Sequence, residues 1–332
     1  MHTSARHTAL LLSAAVSVTL TATACASSGS ADAPATARAT HTASPTPTSE
    51  PALTKKAALA QITHYSKINN QANADRNRAL LDTVEDGPLY AMSISDYIEA
   101  EGLPAADRKP YKPWSYNSAN AKLYIPRLAA GQDRWFAAAL SDQKGKAPSR
   151  LTVFAERPQH KRWELVSVVD LDRQKLPDIA LDRDGFATAV AADGNKQLAA
   201  GANLLRTGVL DNFTTGGANT GTKVFAPTKA SKRQIEVHDK TGTRYGNQGT
   251  TVFAGAANRY KDAYALKTTD GGALILFSHT HTQTDAVAHS GLQINPGKDD
   301  RAWLHDVPRT PSRTRSYATT PPPSPGRPSR PA

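Results

Sequence analysis

The chain of 332 residues contains one cysteine, Cys25, which closes a charge-free stretch running from Thr8 to Ala24. With a single thiol no intramolecular disulfide can form, so the body after Cys25 must hold together by core packing and hydrogen bonding. The 17 charge-free residues include four Thr and two Ser. A permanent span needs about 20 predominantly apolar residues, so the stretch reads as a cleaved export signal. Arg6, with His2 and His7, supplies its positive start. Ala9-Leu10-Leu11-Leu12 opens the apolar part, and Ala22-Thr23-Ala24 forms the small-residue cleavage site.

Small residues followed at once by Cys also resemble the lipobox of bacterial lipoproteins. There the Cys sulfur receives a diacylglycerol and the Cys becomes the first residue. Ala22 stands where Leu is usual, and Leu20 lies two positions further back. A lone thiol in an exported chain finds a use as a lipid site, and several acyl chains anchor far more firmly than one. The expectation is a signal peptide over 1–24 and lipidation of Cys25, which holds the protein to membrane lipid on the outer face of the cell. Ordinary secretion after the same cut is the alternative.

Both ends lack the composition of a fold. Residues 25–53 are dominated by Ser, Thr, Ala and Pro without an aromatic residue, and read as a disordered tether. The stretch 305–332 is Arg/Pro-rich; from Val307 it has eight Pro, five Arg and no acidic residue, and reads as a disordered tail. That tail supplies five of the eleven net positive charges, and residues 1–53 are neutral, which leaves +6 for 54–306. So mild a charge, interspersed with acids, suits a solvated basic surface or attraction to anionic headgroups or wall polymers. Nucleic acid is not expected as a partner of an exported chain.

The body reads as two similar halves. Thr54 to Asn69 is predicted helical, with Ala58, Ile62 and Tyr65 on one side and Leu59 and Ile68 widening the stripe. A second helix, capped by Asn73 or Asp75, carries Leu80, Leu81 and Val84 and stops at Gly87-Pro88; a third segment covers Ser93 to Glu101. Strands are predicted at Ala121–Ile125, Arg134–Leu140, Arg150–Ala155 and Arg162–Val169, joined by hairpin-length connectors. Leu171 to Gly185 reads as a linker. The pattern then restarts: Leu198, Ala202, Leu205 and Val209 form a helical stripe closed by Gly216-Gly217. Strand candidates follow at 233–238, 250–254, 263–268 and 273–284. Helices before a meander of strands, twice over, predict an α+β repeat with domains at 54–172 and 194–304 and a linker at 173–193.

The helix pair from Leu59 to Val84 with its long strands, and the second set from Leu198 to Thr284, resemble the nuclear-transport-factor-2-like (NTF2-like) fold. The resemblance implies two tandem cones, each a curved antiparallel sheet around N-terminal helices. The signal peptide, the Thr/Pro-rich tether, Leu176-Pro177-Asp178-Ile179-Ala180 and Asp184-Gly185 together resemble uncharacterised lipoproteins of actinobacteria. That resemblance covers roughly residues 50 to 290 and implies no activity. The second half lacks a strand as strong as Arg162–Val169. The composition after about Trp303 is what a shifted reading frame tends to give in GC-rich DNA, so the native final strand is expected to be lost, or replaced, with a sheet edge left open.

Several motifs suggest chemistry. Ser141-Asp142-Gln143-Lys144 and Lys240-Thr241-Gly242 match elements of penicillin-recognising enzymes. However, Ser141 ends a strand and Gly145 and Pro148 follow, so no helix can present Ser and Lys together. Gly216 to Lys223 looks like a phosphate loop, but its Lys does not directly follow the last Gly and it comes after a helix. His279 and His281 share one face of a strand, continued by Gln283 and Asp285. They are candidate ligands for zinc or copper, with Asp285 or His289 as a third, or else part of a polar strand face at an edge or cleft. Asp82, Glu85, Asp86, Asp170 and Asp172 are read as turn or solvent carboxylates. Arg157 to Trp163 mixes basic and aromatic residues where a hairpin turn is needed. No catalytic residue and no cofactor emerge. The expectation is a surface-anchored binding or scaffolding module; the alternatives are a hydrolase or isomerase using a cone cavity, or a metal-capture protein.

Overall fold

Thr54 starts the first helix by accepting a hydrogen bond from the Ala57 N–H at 3.1 Å, which satisfies a donor that a helix start leaves over. The computed structural model describes residues 49–294 except 143–144, 146, 160, 172–174 and 258, together with the strand 313–319. Cys25, the export segment and residues 25–48 of the tether lie outside the described residues. Helix α1, Lys55–Asp75, buries Ala58, Ile62, Tyr65, Asn69 and Ala72, the spacing expected for one helical face. It outruns the expected end at Asn69 and stops where Arg76 takes a left-handed φ of 51°.

Helix α2, Arg78–Leu81, is capped by Asn77 rather than Asn73 or Asp75. Gly87-Pro88, expected to stop that helix, instead opens helix α3, Gly87–Gly102. Proline is tolerated in a first turn because the N–H it lacks would have no intrahelical acceptor there.

The first half supplies the main sheet. Strands β2 (Lys122–Tyr124), β4 (Trp135–Leu140), β5 (Arg150–Arg157) and β6 (Arg162–Asp170) form one antiparallel sheet in the order β2-β4-β5-β6. All six residues of β4 are buried, which explains why its sequence is a continuous apolar run without alternation. Phe136 and Phe154 stack at 4.9 Å between ring centres, and both belong to the core with Ile62, Leu151 and Leu165. A smaller sheet, β1 (Glu50–Pro51), β3 (Pro126–Leu128) and β7 (Ala187–Thr188), takes its last strand from the expected linker. Within the same stretch, Ile179 bridges Thr268 and Ala189 bridges Leu266.

The second half departs from a repeat of the first. Helix α4, Ala202–Thr215, ends on Gly216 with φ 69°, as the sequence predicts. After the short helix α5, Gly221–Val224, the predicted strand at 233–238 lies inside helix α6, Lys229–Gly242. The Arg233-Gln-Ile-Glu-Val alternation mimics a strand. A capping box between Thr228 and Ser231, followed by Lys, Arg, Gln and Glu, favours the helix.

The predicted strand 273–284 is two strands, β10 (Ala273–Phe277) and β11 (His279–Val287), in different sheets. β10 pairs with β9 (Ala263–Lys267), and β11 lies between β8 (Gly249–Gly255) and β12 (Arg313–Thr319). The break falls at Ser278, whose carbonyl oxygen accepts the Arg206 Nε–H at 2.8 Å and is thereby taken out of the ladder.

β12 lies within the stretch expected to be a disordered tail, and it covers the β11 edge expected to be open. Its Thr, Tyr and Thr residues are strand formers that the surrounding Pro and Arg obscure in the sequence. The protein is thus mixed α+β, with six α-helices and several small sheets among the described residues. Leu266 of β9 and Leu276 of β10 belong to the same buried cluster as Phe136 and Leu165. The helix α4 side has its own small cluster of Val209, Phe213 and Phe253.

Candidate functional site

Arg157 ends β5 just before the hairpin turn that Lys161 closes with φ 51°. Its guanidinium is held from two sides: Nε lies 2.5 Å from Asp86 Oδ2, and Nη1 donates to Asp262 Oδ2 at 3.0 Å. Asp86 is the N-cap residue of α3, yet it makes no side-chain capping bond; its carboxylate is turned to Arg157 instead. Burial works against the charge on Arg157, but Tyr264, Asp262 and Asp86 more than offset it, and its pKa stands above the ordinary value.

Arg157, Asp262 and Tyr264 border a small pocket open to solvent, and Asp86 holds Arg157 from outside its lining. Its lining includes Arg157, Ser167, Tyr260, Asp262, Tyr264 and Phe277. Ser167, on β6, is 6% exposed, and its hydroxyl makes no hydrogen bond among the described residues. Burial, reinforced by the Asp262 charge, pushes the Tyr264 hydroxyl far above its ordinary pKa, so it remains a neutral donor.

Arg206 of α4 fixes the opposite wall. Besides Ser278, it donates through Nη2 to the carbonyls of Lys261 and Asp262, both at 2.9 Å. Burial lowers the Arg206 pKa from its ordinary value, with Asp193 and Asp262 opposing that.

The carboxylates singled out in the sequence disperse. Glu85 is fully buried away from the pocket lining and accepts hydrogen bonds from the Tyr65 hydroxyl at 2.8 Å and Asn69 Nδ2 at 2.9 Å. Asp82 is exposed, Asp170 pairs with Arg150 at 2.9 Å, and Asp172 lies outside the described residues. Only Asp86 reaches the pocket's cation. Of the basic and aromatic patch Arg157 to Trp163, Arg157 lines the pocket, Arg162 pairs with the buried Glu164, and His160 lies outside the described residues.

His279 and His281 do share a face, but it is a buried one. They are 5% and 3% exposed, and β11 is an inner strand rather than an edge. His279 Nε2 and His281 Nδ1 are 3.2 Å apart, and Phe213 stacks on His281 at 4.6 Å between ring centres. Burial pushes the His281 pKa down to about 4. Gln283 and Asp285 bond to one another, Thr251 donates to Asp285 at 2.5 Å, and His289 is exposed. Among the described residues no group of three or more His, Cys, Asp or Glu could hold a metal ion.

The loop from Gly216 to Lys223 does cradle an anion, namely the protein's own Asp211. Asp211 Oδ2 accepts the backbone N–H groups of Asn219, Thr220 and Gly221 at 3.1, 2.8 and 2.9 Å. Oδ1 accepts the Thr215 hydroxyl at 2.7 Å. Burial alone would raise the Asp211 pKa, but these donors outweigh it and hold the carboxyl well below its ordinary range. A β-carbon at Gly221 would fall 1.9 Å from Asn212 Oδ1, so glycine is required there. The loop is structural. Ser141 is buried directly after β4, Lys144 lies outside the described residues, and Lys240-Thr241-Gly242 closes α6; the penicillin-recognising arrangement is not assembled among the described residues.

Sequence reasoning missed Ser167, Arg206, Tyr260, Asp262 and Tyr264 as site residues. Arg206 left a faint signal, lying four residues after Ala202 and three before Val209 on the buried side of α4. Tyr260, Asp262 and Tyr264 are spaced by two, the period of a strand, but the predicted strand began only at Ala263; Ser167 left no signal.

Residues 49–326 match the family described as "Domain of unknown function (DUF8094)", and the chain belongs to that family. It is 79% identical over 260 residues to "Uncharacterized lipoprotein SCO6871" of Streptomyces coelicolor, covering 78% of this chain and 73% of that protein. A second Streptomyces coelicolor protein, "Uncharacterized lipoprotein SCO2278", is 27% identical over 250 residues, 75% of this chain and 73% of its own length. An "Uncharacterized lipoprotein" of Streptomyces avermitilis is 26% identical over 260 residues, with 74% and 70% covered. No solved structure matches the chain significantly. Among the described residues, no helix is long and apolar enough to cross a membrane.

Proposed function

We propose that this protein is a lipoprotein held on the outer face of the cell membrane by acylation of Cys25, and that its body is a binding module working at the envelope. The observation that carries the anchor is the agreement between the chain's own lone cysteine behind small residues and the lipoprotein names of three relatives. On this reading the Ser/Thr/Pro/Ala-rich stretch after Cys25 connects the body to the lipid surface. Exposed Lys223, Lys232 and Arg244 around α6 favour approach to anionic headgroups or wall polymers.

Binding rather than turnover is supported by the pocket's charges. The carboxylate in its lining, Asp262, is engaged by the guanidinium of Arg157, which also pairs with Asp86 outside the lining. That is a clamp, whereas acid–base catalysis needs groups poised to exchange protons with a substrate. Intact-mass analysis of the mature protein from its native host tests the anchor. Diacylglyceryl mass on a chain beginning at Cys25 is the expected result, and an unmodified thiol on protein recovered from the medium would overturn it.

A further inference from the structure

We propose that the outer face of helix α6 rests on the anionic phospholipid surface of the membrane that the lipid on Cys25 enters. The proposal rests on the anchored reading above and names the surface that the body meets. Charge comes first. From Gly216 to Gln248 six basic residues stand against Glu236 and Asp239, so this stretch supplies four of the six net positive charges of residues 54–306.

Helix geometry gathers these charges. Lys229, Lys232, Arg233, Glu236 and Lys240 recur at i, i+3, i+4, i+7 and i+11, one stripe along α6. Ser231 and Gln234, the buried residues of α6, lie on the opposite side. Gln234 accepts Asn212 Nδ2 of α4 at 2.7 Å, which holds the stripe outward. The acid within the stripe, Glu236, is occupied twice: Arg233 Nη1 donates to it at 2.9 Å, and Lys240 Nζ donates to its other oxygen. Asp239 stands at the margin, 3.0 Å from His238 Nδ1. Lys223 of α5 and Arg244, just past α6, precede and follow the stripe in sequence, and both are exposed.

A row of cations without large exposed apolar side chains suits a charged plane and shallow adsorption. Among the described residues the exposed large hydrophobics are Leu181, Leu204 and Val252, and none belongs to α6. Each Lys or Arg near an anionic leaflet is worth roughly fivefold in partitioning. Chain length selects the bilayer over other anions. An extended chain covers at most about 3.6 Å per residue, so the stretch from Cys25 to Glu50 keeps the body within about 90 Å of an acylated Cys25. A contact too weak to hold a free protein is then made at high local concentration.

The test is co-sedimentation of the full mature chain, residues 25–332 made without lipid, with two kinds of vesicle. One is phosphatidylglycerol and phosphatidylcholine in equal parts, the other phosphatidylcholine alone. Binding should be saturable on the anionic vesicles and absent from the neutral ones. It should vanish between about 0.1 and 1 M salt, as the Debye length falls from about 10 to about 3 Å. Lys223→Gln/Lys232→Gln/Arg244→Gln should weaken it by about tenfold or more, with the melting temperature kept, since all three are exposed. Arg309→Gln/Arg327→Gln/Arg330→Gln removes the same charge from the C-terminal stretch and should weaken binding less than about threefold. No binding to anionic vesicles, equal binding to neutral ones, or a loss in the second variant matching that in the first would each overturn the proposal. So would tighter binding to soluble poly(glycerol phosphate) than to the vesicles. Cys25 carries no lipid in this assay, so the anchor stands or falls separately on the mass measurement.

Discussion

The sheet β2-β4-β5-β6 and the sheet β12-β11-β8 bury their residues by opposite means. The first encloses Phe136, Leu140, Phe154 and Leu165 in an apolar core with an inner strand buried on both faces. The second, with α4, gathers Arg206, Asp211, Asn212, His279 and His281 around only Val209, Phe213 and Phe253. Apolar burial is non-directional and roughly proportional to area. Polar burial is tolerated only when each group finds a partner in the right geometry. The first region should therefore fail by loss of volume, and the second by loss of a proton or a hydrogen bond.

The largest effect expected is in the first region. Phe136→Ala removes a fully buried ring stacked on Phe154 and should cost about 4 kcal/mol in urea unfolding. A loss under about 1 kcal/mol would mean that this core is much looser than its burial implies.

Acid should act on the second region. The His281 pKa of about 4 lies below the ordinary 6.5 because burial disfavours the charged ring. A base depressed in the folded state stabilises fully above its unfolded pKa and loses that contribution as pH falls. Between about pH 6.5 and 4, stability should drop by up to about 3 kcal/mol. NMR titration of the His281 ring checks this directly, and an ordinary midpoint near 6.5 would contradict its burial.

The third effect is smaller. Asp211→Ala leaves the N–H groups of Asn219, Thr220 and Gly221 without their carboxylate. A loss of about 2 kcal/mol, with faster amide exchange confined to that loop, is expected. Unchanged exchange at all three amides would show that the carboxylate does not order them.

The two regions also differ in how far they can be read from sequence. α1, the four strands of the main sheet and the C-cap of α4 were legible because each rests on a short-range period or a capping residue. α6 was not, because the Ile235-x-Val237 spacing has the period of a strand and only the Thr228 cap argues for a helix. The split of β10 from β11 was invisible for another reason: it depends on Arg206, 72 residues away in sequence from the Ser278 carbonyl it takes. The histidine pair was placed on one face correctly. That the face is buried under Phe213 was not contained in the strand's own residues.

By itself, then, the sequence determined the single cysteine, the α+β class and most helix and strand positions. These follow from composition and from spacings of a few residues. Tertiary structure alone decided that the phosphate-like loop wraps Asp211, that β12 covers the β11 edge, and that Arg157 meets an aspartate 105 residues further along. Such pairings depend on how distant elements pack against one another, and no local period records that.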